Sequence, residues 1–297
     1  MKFEIVDVSD WLVMSQEPGG AEPKDWIARP SDVKRSELDR FWLYKAAKVG
    51  ELSKYRRHDD VAELLASALA EAIGLPAAKV ELACRHDTEG IISRNITPPG
   101  WELHSGDVRL SECPGYETCS LDERPKNRVG HNLVNIGEVL RGCGGPATLA
   151  NEPAFSVFAG YLVFDAWIAN TDRHAINWAV LERDGERRLA PTFDHGSALA
   201  SGLREDDLSR HNPVTFARRG MARCFENGRR LPLVDLALKA VDLGGTQART
   251  WLDRIASFAP ARVGELLDAA EATMRLSVAR RTFLETVLQE NQRRLTA

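Results

Sequence analysis

Three polar residues late in the chain have the types and the spacing of a phosphoryl-transfer site. Asp172 and Asn177 stand five apart in ANTDRHAIN (residues 169–177), and Asp194 follows in Phe193-Asp194-His195-Gly196. Phosphoryl transfer uses an acidic residue near the attacking hydroxyl, an Asn five residues on, and a later Asp for Mg²⁺. A hairpin supports that order independently. Residues 178–181 and 189–192 are largely apolar and flank a charged stretch holding Asp184-Gly185, a favoured two-residue turn. With Asp184 and Gly185 as the turn, antiparallel pairing sets residue 177 opposite 192. Asn177 and Asp194 then share one open end of the hairpin, where both can reach one metal ion. The five-residue Asp/Asn spacing alone is common in polar loops; the hairpin and the Asp-x-Gly make it a candidate site.

Such a site needs an upstream element to hold phosphates. Residues 15–24 (SQEPGGAEPK) form a turn-rich segment with Gly19 and Gly20, and Lys45 ends the aromatic stretch FWLYK. Glycine lets backbone N–H groups approach an anion closely. A Lys on the next strand is how a kinase small lobe reaches the phosphates. Asp59 or Asp60 can start a helix running to Ile73, closed by Gly74 and Pro76. Val61, Leu64, Leu65, Ala68, Leu69 and Ala72 give it an apolar stripe. Glu63 flanks that stripe, where it can pair with Lys45 or simply favour the helix dipole.

The pattern implies an α+β fold in two lobes, a mostly β small lobe over residues 1–95 and a helical large lobe over 96–297. Residues 3–8, 41–44, 79–83 and 90–93 read as strands of the first. Residues 95–100, with two prolines and a glycine, read as the hinge, where adenine can bind to backbone groups. Residues 101–153 carry little periodic signal. Residues 155–169 are apolar almost all round and read as a buried helix that delivers residues 170–177. Residues 197–220 are polar and basic, an activation-type loop or a long connection. Helices are expected over 232–243, 246–258 and 261–294.

Composition narrows the classes. A formal net charge of −4 over 297 residues gives no basic footprint, so direct nucleic-acid binding is not expected. The N-terminus lacks a signal-peptide apolar run. The longest apolar stretch, 155–169, is interrupted by Asp165 and short for a bilayer, so a cytoplasmic protein with no membrane span is expected. Five cysteines with no Cys-x-x-Cys read as free thiols in a reducing compartment. Cys113, Cys119, His131 and Cys143 fit no standard zinc spacing.

Taken together, GGAEPK with FWLYK, AELLASALAEAIGLP, GIISRNI, FDAWIANTDRHAINWAVL and LAPTFDHGSAL resemble a HipA-like kinase, a branch of the protein-kinase-like fold. The DRHAIN…Asp-x-Gly part is also similar to phosphatidylinositol kinases. The resemblance implies ATP and Mg²⁺ as cofactors and a protein Ser or Thr as acceptor, with a lipid or small alcohol as the alternative and a nucleotide-binding pseudokinase as another. It implies Asp172 as the catalytic Asp and Asn177 and Asp194 as Mg²⁺ ligands. Lys45 becomes the phosphate-binding lysine with Glu63 as its partner, and Gly19 and Gly20 fall in the phosphate-covering loop. His174 is implied to brace the loop, and His195 stands where protein kinases usually have Phe. No counterpart of the N-terminal subdomain of full-length HipA toxins is expected in this sequence, which leaves an antitoxin partner open and unsupported.

Overall fold

The computed structural model describes residues 2–16, 24–33, 40–47, 56–118, 128–274 and 276–297. A six-stranded sheet, in the order β1-β5-β6-β4-β3-β2, is built wholly from residues before Asn95. Its strands are β1 (Ile5–Asp7), β2 (Leu12–Gln16), β3 (Asp25–Ala28), β4 (Trp42–Ala46), β5 (Val80–Arg85) and β6 (Thr88–Arg94). The β5–β6 hairpin turns at His86 and Asp87, both left-handed (φ 46° and 64°). Alternation sorts this sheet into two faces. Val8, Ile27, Trp42, Tyr44, Ala83 and Ile92 pack on one side. Val80, Leu82 and Ile91 pack with Leu64 on the other. Leu64 belongs to α2 (Asp59–Ala72), which crosses that second face and brings Glu63 with it. A four-residue turn of helix, α1 (Pro30–Val33), follows β3.

Beyond residue 95 the chain is mainly helical. Two short helices, α3 (Gly106–Leu110) and α4 (Leu133–Val139), precede α5 (Ala154–Trp167). Every residue of α5 except Phe155 is buried, as its apolar sequence demands. It packs against α7 (Leu233–Ala256) and α9 (Val278–Leu295), with α6 (Pro213–Arg218) and α8 (Pro260–Met274) completing the layer. Gly245, at φ 69°, breaks α7 where the sequence pattern breaks between residues 243 and 246. The single helix expected over 261–294 is instead α8 and α9. Ser277 starts the second by accepting a hydrogen bond from Arg280 N, a cap that the pattern of apolar residues does not reveal.

A second, three-stranded sheet, β7-β8-β9, lies within this half: β7 (Glu102–Ser105), β8 (Ala179–Arg183) and β9 (Glu186–Leu189). The β8–β9 register follows the expectation: Val180 faces Leu189, Arg183 faces Glu186, and Asp184 and Gly185 turn with φ of 51° and 83°. The ladder does not continue to the expected 177/192 pair. Pro191 cannot donate, and Thr192 leaves the hairpin to bond Pro76 O and Ala78 N beyond the end of α2. β7, unread in the sequence, pairs with β8 along Ser105↔Ala179 to Glu102↔Glu182. Among the described residues no helix is long and apolar enough to cross a membrane.

Candidate active site

Lys45 enters the site from β4, whose Ala46 faces Gly90 of β6. A Cβ at residue 90 would lie 2.3 Å from Lys45 O, so glycine is what lets the two strands close there. The Lys45 ammonium is 2.7 Å from Glu63 Oε1 and 3.0 Å from Asp194 Oδ1. It therefore joins the sheet, α2 and the segment after β9 at one atom. Burial works against the ammonium, but the Glu63 and Asp194 carboxylates outweigh it and hold Lys45 above its ordinary value. Burial likewise pushes the Glu63 carboxyl up against the opposing pull of Lys45. For Asp194 the balance falls the other way: burial raises it, and Lys45 with Lys24 brings it well below the usual carboxylate range. Asp194 sits in the left-handed region (φ 59°), a conformation uncommon for a non-glycine residue, and keeps about a third of its side chain open to solvent.

The loop after α5 supplies Asp172 and Asn177. Asn170 Oδ1 accepts from Asp172 N at 3.2 Å, and Asn177 Nδ2 donates to Asp172 O at 2.9 Å, so the loop is tied to itself at both ends. The Asn177 amide oxygen is left available as a ligand atom. Asp172 Oδ2 accepts from Ser197 Oγ at 3.3 Å, and Cys224 Sγ lies 3.5 Å from Oδ1. His174 caps the single turn Ala175–Asn177, its Nδ1 accepting from Ile176 N at 3.2 Å, which is the bracing part expected of it.

Two residues that sequence reasoning passed over hold this arrangement together. Asp165, the lone carboxylate of α5, makes a two-pronged ion pair with Arg173 at 2.8 Å for both contacts; each side chain is 2% exposed. Arg173 also donates to Asn177 O (2.5 Å) and Phe193 O (3.4 Å), and its Nη2 lies 3.2 Å from His195 Nε2. One guanidinium thus fixes α5, the 172–177 loop and the 193–195 turn relative to each other. His195 is buried, and burial with the neighbouring Arg173 drives its pKa far down, leaving a neutral ring that accepts at Nε2. Its backbone N donates to Glu63 Oε2 at 3.2 Å. The signal for Asp165 was present: a carboxylate inside an otherwise apolar helix requires a cationic partner.

His131, one of the residues considered for zinc, serves a different purpose. Its Nδ1 bonds Cys224 O at 2.6 Å and its Nε2 accepts from Trp178 Nε1 at 3.2 Å, which uses both nitrogens. Burial lowers its pKa to about 4, so the ring is neutral as that pairing requires. Among the described residues no group of three or more His, Cys, Asp or Glu could hold a metal ion. A site of one carboxylate and one amide oxygen suits Mg²⁺, which keeps several waters and leans on substrate phosphates. Gly19 and Gly20 lie outside the described residues.

The HipA-like C-terminal domain family matches residues 16–263 of this chain. The chain belongs to that family. Among solved structures, a Helicobacter pylori proinflammatory kinase, CtkA, is similar over 98% of this chain and 95% of its own, at 16% identity and a TM-score of 0.68. HipA of a Shewanella oneidensis toxin–antitoxin system, solved with HipB and operator DNA, is similar over 86% of this chain and 57% of its own, at 12% identity and a TM-score of 0.52. No curated protein matches the sequence. The fold is kinase-like and two-lobed, and family and fold together support a kinase-type phosphotransferase.

Proposed function

We propose that the protein is an ATP- and Mg²⁺-dependent kinase that transfers the γ-phosphoryl group to a Ser or Thr hydroxyl of a protein. The observation that supports it most is the Lys45 ammonium held between Glu63 and Asp194, beside the loop that carries Asp172 and Asn177. Lys45, oriented by Glu63, holds the phosphates. Asp194 and the Asn177 amide oxygen hold the metal, which when bound neutralises charge on the transferred group. Asp172 takes the proton of the acceptor hydroxyl, and the Asn170 and Asn177 bonds keep its backbone in place. Positioning and charge neutralisation supply most of the rate enhancement in this chemistry. We place the lobe boundary near residue 95, where the six-stranded sheet ends. We also assign a reducing, cytoplasmic setting, on the cysteine pattern of the sequence.

The test is incubation with γ-labelled ATP and Mg²⁺, alone, with a cell lysate, and with inositol-lipid vesicles. Label on Ser or Thr of a protein is the expected result. Label on lipid alone would move the acceptor class, and nucleotide binding without transfer in any arm would overturn the proposal in favour of a nucleotide-binding module.

A further inference from the structure

Behind the site runs a strained segment that one buried arginine pins. Leu199 and Ala200 are both left-handed, at φ of 50° and 52°. There a Cβ crowds the following carbonyl, so consecutive non-glycine residues persist only when their surroundings hold them. Leu199 N donates to Ile168 O at 2.9 Å, tying the segment to the end of α5. Arg280 of α9 does the rest. Only 1% exposed, it donates to Ala200 O (3.4 Å) and Leu203 O (2.6 Å), and its Nε bonds Glu205 Oε2 at 2.9 Å. The other Glu205 oxygen accepts from the Ser277 hydroxyl, the same hydroxyl that caps α9. A buried guanidinium stripped of its carboxylate is strongly unfavourable, so these bonds act as a set.

The pinned segment reaches α2 at its start, where His58 Nε2 also lies 3.8 Å from Glu205 Oε2, and through residues 195–201 at Glu63. His58 N, at the cap of α2, donates to Ser201 O at 3.2 Å, and His195 N donates to Glu63 Oε2 at 3.2 Å. Between them the Ser201 hydroxyl donates to Gly196 O at 2.6 Å. Residues 195–201 are therefore bonded to α2 both at its start and at Glu63, the residue that holds Lys45.

We propose that Arg280 is a positioning residue for the Lys45–Glu63 pair, acting through the 200–205 backbone, with Glu205 as its fixed counter-charge. Elsewhere, loops of this kind are ordered by an added phosphate that pairs with arginine. Here a carboxylate already in the sequence supplies that negative charge, and the site is assembled without modification of the loop. The inference rests on the kinase reading of the site.

The test compares phosphatase-treated wild type, Glu205→Gln and Arg280→Lys, each well below its unfolding midpoint. Glu205→Gln is the mild variant, because that side chain is 39% exposed. Turnover, KM for ATP, and hydrogen exchange of the amides at 58–64 and 195–201 are measured. Wild type should keep its full rate after phosphatase, and both variants should lose tenfold or more in kcat, with protection lost at those amides but kept in α5. Exchange reads the pin whether or not phosphate is transferred. Loss of protection in the variants, with no transfer by wild type, would sink the kinase reading while the pin stood. Variants that lose only melting temperature and keep wild-type kcat would make Arg280 merely structural and overturn the proposal. A wild-type rate that falls on phosphatase treatment would overturn it too.

Discussion

Asp172 and Asp194 are both carboxylates of one site, yet their neighbours give them different work. Asp194 faces the Lys45 ammonium, whereas Asp172 faces a hydroxyl, a thiol and, at 4.0 Å, the His174 ring. On the proposed function, Asp172→Asn keeps shape but removes the proton acceptor. Transfer should fall by about 10²–10⁴-fold while MgATP binds at near wild-type affinity. Asp194→Asn removes a charge from the metal shell and should lose both transfer and the Mg²⁺ enhancement of ATP binding, with Asn177→Ala in between. Calorimetric titration of ATP with and without Mg²⁺ across the three variants checks the pattern; undiminished transfer by Asp172→Asn would refute the assignment. As a candidate site these residues were legible because the pattern of a phosphoryl-transfer site has a set order and spacing. Arg173 was not, because its contacts are to a helix eight residues back and to a turn twenty residues on, and only the fold joins them.

At the level of elements, the β8–β9 hairpin and α5 do the positioning. Asp184-Gly185 was readable because type I′ turns demand left-handed residues, and this pair supplies them. The strands β2, β3 and β7 were not readable. They are four or five residues long, and β2 is exposed along its whole length, so no apolar alternation marks it. The helix α5 hides a dependence within its apolar surface, the Asp165–Arg173 pair. Asp165→Ala leaves a guanidinium buried without its carboxylate and should cost about 3–5 kcal/mol of stability. Urea unfolding measures it, and a change under 1 kcal/mol would mean that the loop carbonyls alone satisfy Arg173. Replacing both partners with apolar residues should be milder than removing either one.

Across the whole molecule, two histidines, the buried His131 and the half-buried His58, set a pH limit. His131 and His58 have folded-state pKa values lowered to about 4, chiefly by burial. The unfolded chain titrates near 6.5, so between those values it binds protons that the folded protein refuses. The stabilisation from these two is complete above about pH 6.5 and is lost as pH falls from there to about 4. For His131 alone the loss is about 3 kcal/mol. Thermal midpoints measured from pH 7.5 to 4.5 should fall, and His131→Asn should flatten the slope. On the proposed function, MgATP at a hundred times its Kd should add about 2.7 kcal/mol, raising the melting temperature by a few degrees. The division into a β-rich first part and a helical second part was visible in the sequence because strand-like runs fall before residue 95, the Pro-Pro-Gly segment follows them, and helical patterns dominate beyond residue 154.

The Lys45–Asp194 contact has a consequence for the order in which the site fills. In the structure the ammonium serves as a counter-ion for the carboxylate that the metal would use. A bare divalent ion arriving alone meets a group that is neutralised and must compete with a tethered cation. A metal arriving already chelated to a triphosphate brings the anions that draw the ammonium away. Loading should therefore be concerted: titrating Mg²⁺ into the protein alone should give no saturable heat below millimolar concentrations, and Lys45→Met should uncover a weak site for the bare ion. In a cell that holds free Mg²⁺ at all times, such a lock would keep the empty site from standing loaded with metal and lacking nucleotide.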